Sequence, residues 1–307
     1  MTRVLLVAHH QRTDAAALAQ ATASWLRERG HESWVTPDDA RALDLMHLAD
    51  DRLPSAADLL VSLGGDGTIL RAVQLLEGSP VPIIGVNVGM LGYLAEVEPP
   101  GLTATLERFL AGPEPDHGDW QLEQRMMLDV ALHRAVVPGV VPGVVPGVVP
   151  GVVPVQGTQR WRALNEGVLE RLEAGHTVRL LVRIDGAPFT SYAADGLIVA
   201  TPTGSTAYSL SARGPVVSPR HRALLLTPVS PHMLFDRSLV LDPEESVDVE
   251  VSGHRTVALS IDGQRAATLR EGDVVSFTAS EATAQFVRFG GRRFHQILKH
   301  KFGLADR

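Results

Sequence analysis

Leu59-Leu60-Val61-Ser62-Leu63-Gly64-Gly65-Asp66-Gly67-Thr68 is an apolar run that ends in a glycine-rich turn with one carboxylate at its centre. The apolar part reads as a buried parallel strand, and a helical run from Ile69 to Glu77 follows it. Asp66 therefore stands where a strand ends and a helix begins. Open α/β sheets bind ligands at that edge. The glycines are expected to take positive φ and to let a phosphate approach the backbone closely. The helix start offers unpaired N–H groups and a positive dipole end to an anion. An acid inside an anion cradle is a poor choice for binding alone. It suits a base, or a holder of metal or hydroxyl groups.

Outward from this turn, Val4–Ala8, Glu32–Val35, Leu59–Leu63 and Val81–Val86 read as strands. Helical segments alternate with them: Asp14–Arg29, with apolar Ala17, Ala21 and Trp25, then Gly67–Glu77 and Leu102–Ala111. That alternation predicts an α/β N-terminal domain with a parallel sheet over residues 1–115. Gly85–Gly92 is a second glycine-rich strand exit. Beyond it the texture changes. Leu128–Leu132, Val178–Ile184, Gly196–Ala200, Ser238–Leu241, Val247–Val251, Thr256–Ser260 and Val274–Thr278 are β-rich segments between Gly, Pro and Asp turns. They predict an all-β C-terminal domain over 116–289. Arg293–Phe302 reads as a basic helix, and 290–307 is expected to return to the first domain.

Val136–Pro154 repeats Val-Val-Pro-Gly. Recurrent proline removes backbone donors and blocks a helix, so this apolar stretch is not a membrane span. A flexible string of turns in a loop at 136–154 is expected instead.

The chain has 307 residues, 45% of them hydrophobic, enough for two cores. A net charge of −7 gives no electrostatic footprint for nucleic acid. With no cysteine there are no disulfides and no thiolate metal sites. Met1-Thr2-Arg3 leads straight into a short strand without a leader pattern, so a cytoplasmic location is expected. Lysine occurs only at 299 and 301, which excludes a Walker-type loop with its Gly-Lys-Ser/Thr.

The second strong signal is Asp195-Gly-Leu-Ile-Val-Ala-Thr-Pro-Thr-Gly-Ser-Thr-Ala-Tyr-Ser-Leu-Ser-Ala212. A short apolar strand enters a turn crowded with the hydroxyls of Thr203, Ser205, Thr206, Tyr208, Ser209 and Ser211. Such a turn suits an adenine and a ribose better than a metal. One of these hydroxyls capping a helix is the simpler reading, but a cap needs only one.

With both segments in view the chain resembles the prokaryotic-type NAD kinases, which phosphorylate NAD to NADP. The resemblance rests on Gly64–Thr68, on Asn165-Glu166 before a strand, and on Asp195–Ala212. Gly85–Glu96, Pro228–Leu241 and Ile261-Asp-Gly-Gln264 are further, weaker matches. It implies a two-domain NAD kinase-like fold and in-line transfer of a phosphoryl group from ATP or polyphosphate, with Mg²⁺ bridging the donor phosphates. Asp66 would be the general base for the adenosine-ribose 2′-hydroxyl, and Gly67 would admit the dinucleotide. Arg71, on the same helix face, is the available cation for a phosphate, or a solvated arginine. The Asn165 amide can pair with an adenine edge, while Glu166 can bridge ribose hydroxyls or hold a metal; alternatively the two form a plain polar turn. His176 stands where the family often has a basic ligand contact. Asp195, Thr206, Ala207, Tyr208, Ser209, Leu210 and Ser211 would line the nicotinamide and adenine halves, and Gln264 resembles a further contact. The family is homo-oligomeric, so a homodimer or homotetramer is expected, with no membrane or nucleic-acid partner.

Two positions depart from the family pattern. Arg213 replaces the first residue of a Gly-Gly pair, and Ala193 replaces an arginine. A lipid kinase of the diacylglycerol or sphingosine type shares the Gly-Gly-Asp-Gly-Thr turn and is the alternative enzyme. A non-catalytic NAD-binding sensor is the alternative from another class.

Overall fold

The computed structural model describes residues 1–90, 92–113, 120–135, 158–173, 175–291 and 293–304. The loop expected at 136–154 lies outside these residues. The chain forms two compact units: Met1–Met126 with Ser218–Arg220 and Ala282–Arg307, and Met127–Val217 with His221–Glu281. The sequence places the division near 115, whereas contacts place it inside two long strands.

In chain order the first unit holds β1 (Arg3–Ala8), α1 (Thr13–Glu28), β2 (Glu32–Trp34), α2 (Pro37–Leu43), β3 (Leu59–Gly64), α3 (Asp66–Leu76), β4 (Ile83–Asn87) and α4 (Leu102–Leu110). Its strands run parallel in the order β2-β1-β3-β4. Val4–Ala8 and all of β3 are buried, as continuous apolar runs must be when helices cover both faces of a sheet. Since β2 and β3 flank β1, the winding reverses between β1 and β3. At the carboxyl ends of these two strands Ala8 pairs with Leu63, and Gly64 follows. This is the topological switch point of the sheet.

The helix faces follow from spacing. In α3, Ile69, Ala72, Val73 and Leu76 are buried, a helical stripe on the sheet side. In α1 the buried stripe is Ala15, Ala19, Thr22, Ala23 and Leu26, while Ala17 and Ala21 face out. Alanine sits equally well on either face, so an alanine-rich helix does not announce its inner side. The short α2 was not expected from apolar spacing. Its signature is a Thr36 hydroxyl that accepts the Asp39 N–H at 3.2 Å, followed by Pro37 in the first turn.

The chain continues through β5 (Gln121–His133), β6 (Gln159–Ala163), β7 (Glu166–Arg171), β8 (Val178–Ile184), β9 (Ala187–Ala194), β10 (Gly196–Ala200), α5 (Tyr208–Ser211), β11 (Leu224–Val229), β12 (Leu239–Leu241), β13 (Val247–Val251), β14 (Val257–Ile261), β15 (Gln264–Leu269), β16 (Val274–Arg288) and α6 (Phe294–Lys301). The end of β16 adds a parallel partner to β4, pairing Phe286 with Ile83, so the first unit gains a fifth strand from the far end of the chain.

The second unit is β-rich. An antiparallel sheet runs β12-β11-β10-β7-β14-β15, and β13 lies between β8 and the start of β16. Central β10 is wholly buried, with β7 on one side and β11 on the other. Its carboxyl end delivers the chain into the hydroxyl-rich turn.

That turn returns through Arg213-Gly214. Arg213 has φ +66°, the left-handed region in which a Cβ is strained. A Cβ on Gly214 would stand 2.2 Å from Ser209 Oγ and 2.9 Å from Thr227 Oγ1. Glycine is thus required at 214 by space and favoured at 213 by conformation. Thermal unfolding should show Gly214→Ala destabilised by about 2 kcal/mol and Arg213→Gly stabilised by about 1 kcal/mol. A neutral Gly214→Ala would contradict the packing described.

Candidate active site

In the first unit, Asp66 opens α3 and Gly65 is the N-cap, with φ −93° and ψ −170°. None of Gly64, Gly65 and Gly67 has positive φ, contrary to the expectation, because β3 runs into α3 through extended backbone without a left-handed turn. The requirement for glycine is steric instead. A Cβ on Gly64 would strike the Thr68 side chain at 2.2 Å, while Gly65 and Gly67 open onto free space. Gly67 therefore leaves the backbone beside Asp66 uncovered.

The Asp66 carboxylate does not cap its own helix. It accepts the backbone N–H groups of Tyr93 at 2.7 Å and Leu94 at 3.1 Å. Gly92 makes room for it, since a Cβ there would sit 2.0 Å from Asp66 Oδ1. The second glycine-rich strand exit is therefore built around the carboxylate of the first. Asp66 is half-buried, and its charge adds to burial in holding the Tyr93 phenol protonated above its usual range.

Arg71 is not a free cation. Its guanidinium pairs with Asp39 through both terminal nitrogens and donates to the Ala8 carbonyl at 2.7 Å. Asp39 is fully buried and also meets His10 Nε2 at 2.7 Å. Arg71 thus ties α2 and α3 to the carboxyl end of β1. The sequence pattern had no means of pairing residues 39 and 71.

An open cleft of about 1220 Å³ in the same unit is lined by Tyr93, Glu96, Glu123, Arg125 and Arg288 among others. Glu123 accepts from Arg125 at 2.7 Å and from Arg288 at 3.0 Å. Burial and the neighbouring Arg288 push the Arg125 guanidinium down to about 10. These charges largely neutralise one another, and Tyr93, whose N–H the Asp66 carboxylate accepts, lines the same cleft.

In the second unit, Glu166 begins β7 and Asn165 immediately precedes it. The Leu164, Asn165 and Glu166 N–H groups all converge on the carboxylate of Asp262, at 2.8, 2.8 and 3.1 Å. Thr201, at the exit of β10, donates its N–H to the Asn165 carbonyl and its hydroxyl to the Leu164 carbonyl. Gly204 packs so closely on Asn165 that a Cβ would lie 2.1 Å from the Asn165 carbonyl oxygen. The hydroxyl-rich turn and the Asn-Glu pair are thereby brought together. The Tyr208 N–H points at the Glu166 carboxylate, and the Tyr208 phenol feels Glu170, Asp195 and Glu166.

Not every expected hydroxyl is available. Ser205 is fully buried and exchanges hydrogen bonds with the Val217 backbone, and Ser209 is buried against the Thr227 hydroxyl. Thr206 donates to the Thr203 carbonyl. Tyr208 and Ser211 are exposed, and Ala207 and Leu210 are half-buried beside them. Asp195 pairs with Arg171 at 3.3 Å across the same edge. Gln264 is exposed at the start of β15, two residues beyond Asp262. His176 is exposed in the turn before β8 and has no contact with the other candidates among the described residues.

Glu166 is the unusual group. Its Oε2 is buried without a partner. Burial, reinforced by the Asp262 charge, pushes its carboxyl up to about 8.

Residues 4–114 match the family model of the ATP-NAD kinase N-terminal domain, and residues 164–289 match that of the ATP-NAD kinase C-terminal domain. The chain belongs to the ATP-NAD kinase family. It is 33% identical to an NAD kinase of Syntrophotalea carbinolica over all of both chains. An NAD kinase of Heliobacterium modesticaldum is 36% identical, with 98% of each chain covered. The fold is that of yeast NADH kinase solved with NADH, at a TM-score of 0.85 and 23% identity, covering all of this chain and 89% of that one. Both family domains match, so the lipid-kinase alternative falls.

The Glu166 shift has a sign that can be checked. An acid whose folded-state affinity for its proton is raised stabilises the fold below its unfolded range, near 4.3, and loses that contribution as pH rises towards 8. The melting temperature of the kinase should therefore fall between about pH 5 and pH 8 more steeply than that of Glu166→Gln. Parallel curves would show that Glu166 ionises normally.

Proposed function

We propose that this kinase transfers the γ-phosphoryl group of ATP to the 2′-hydroxyl of the adenosine ribose of NAD, with Asp66 as the general base. The supporting observation is the Asp66 carboxylate, held by two backbone N–H groups at a strand end with open backbone at Gly67 beside it. A carboxylate locked in place and half-exposed can orient a hydroxyl and take its proton as the oxygen attacks phosphorus. An ordinary carboxylate is a weak base, so orientation carries a share of the effect.

The second unit supplies recognition in this reading. The Asn165 amide offers a donor and an acceptor to an adenine edge. Glu166 and Asp195 address ribose hydroxyls, Tyr208 offers a ring face, and Thr206, Ser211 and Gln264 add polar contacts. Ser209 shapes this edge from beneath, through Thr227. Arg71 acts on the site through the Asp39 pair and not by touching phosphate. His176 remains a candidate contact on resemblance alone.

The phosphates of the donor bring Mg²⁺, which keeps several waters and takes few protein carboxylates. The donor set suits that arrangement: Asp66 offers one carboxylate, and among the described residues no group of three or more His, Asp or Glu side chains forms a metal cage. When bound, the ion neutralises charge on the transferring phosphoryl group. Polyphosphate is the alternative donor. The family resemblance also supports a cytoplasmic homodimer or homotetramer. Among the described residues no helix is long and apolar enough to cross a membrane.

Purified enzyme given NAD, ATP and Mg²⁺ should form NADP. Asp66→Asn should lower kcat by about 10²-fold or more while NAD affinity changes by less than about 3-fold. Substantial turnover by Asp66→Asn would remove Asp66 from the role of base.

A further inference from the structure

We propose that Asp262 is a positioning residue that sets the Asn165–Glu166 pair for NAD, an inference that rests on the function proposed above. Asp262 and Gly263 form the two-residue turn between β14 and β15, with φ of +47° and +78°. Left-handed pairs of this kind make the tightest hairpins, and aspartate followed by glycine is a favoured sequence for them. The turn alone asks nothing of the aspartate side chain.

That side chain instead leaves its own hairpin and enters the start of β7. Oδ2 accepts from Leu164 and Oδ1 from Asn165 and Glu166. Three successive N–H groups converging on one anion form the concave cradle that elsewhere binds phosphate. Here the protein fills the cradle with its own carboxylate. The main chain answers in kind, since the Asp262 N–H donates to the Glu166 carbonyl at 3.0 Å. On the opposite side Thr201 holds the carbonyls of Leu164 and Asn165. Backbone donors and acceptors at residues 164–166 are thus held from two strands.

The consequence concerns the side chains. With the backbone of 164–166 held, the Asn165 and Glu166 side chains are directed by strand geometry and spend no hydrogen bonds on their own loop. Recognition groups are effective when their supporting contacts are fixed before the ligand arrives. The Asp262 charge also adds to burial in keeping the Glu166 carboxyl protonated well above its usual range. Asp262 acts through Asn165 and Glu166 and need not touch the substrate.

The test compares the full-length enzyme with Asp262→Asn and Thr201→Val by steady-state kinetics, varying NAD and ATP separately, with a melting curve for each variant. An asparagine keeps one acceptor oxygen but turns an NH₂ towards an N–H. It should raise KM for NAD by about 10-fold or more, with KM for ATP and kcat changed by less than about 3-fold. Thr201→Val, which strips the hydroxyl from the Leu164 carbonyl, should show the same NAD-selective loss, and Thr201→Ser should restore it. If Asp262→Asn does not fold, the two Thr201 variants decide. An unchanged KM for NAD overturns the proposal, as does an equal loss for both substrates, which marks a purely structural role. Wild-type enzyme without NADP formation overturns the function proposed above, and this inference with it.

Discussion

The Asp66 carboxylate accepts two backbone N–H groups from a segment far along the chain, and the geometry at the end of β3 depends on that contact. Without it the Gly92–Leu94 segment would lose its anchor, and Asp66 would be free to rotate. Gly92 exists to let the carboxylate in, and Gly64 exists to let Thr68 pack on the turn. The glycines on either side of the acid thus serve close packing of the protein on itself as much as any ligand. A charged acceptor of backbone N–H groups makes stronger bonds than a neutral one. The same contact therefore steadies the loop and fixes the orientation of the Asp66 carboxylate, the group proposed to meet the hydroxyl.

The second unit repeats the device with different parts. Asp262 holds three N–H groups at the start of β7, much as Asp66 holds two beyond β4. Asp262 is buried and faces Glu166, so two acids share a poorly solvated place and burial makes both hold a proton more tightly than usual. Asp66 stands half in solvent. Burial separates the two: the open carboxylate is the one proposed for the chemistry, and the closed one organises its neighbours.

Much of this was legible in the sequence, for reasons tied to particular residues. The run Leu59–Leu63 into Gly-Gly-Asp-Gly-Thr announced a buried strand with an acid at its end, because a strand covered on both faces must be continuously apolar. The strands Val178–Ile184, Gly196–Ala200 and Val247–Val251 lie where alternation and turn residues put them. The rest depended on contacts between distant positions. Nothing local pairs Arg71 with Asp39, and that pair makes Arg71 a tie between helices. Nothing local says that Ser205 and Ser209 would be buried, since a hydroxyl that faces a nucleotide and one that faces Thr227 read alike. Asp262 does not announce itself as a partner of residues 164–166, because Asp-Gly explains itself as a hairpin turn. The positive φ expected of the first glycines was wrong because steric room and backbone freedom leave the same mark, a missing side chain.

The proposed reaction places the new phosphate on the 2′-oxygen of the adenosine ribose of NAD. The most direct measurement is phosphorus NMR of the product formed from NAD and ATP, with the new phosphate located by its coupling to the ribose protons. The product should be a single phosphomonoester coupled to the 2′-proton of the adenosine ribose. Phosphate on the 3′-oxygen, on the nicotinamide ribose, or on no ribose at all would contradict it.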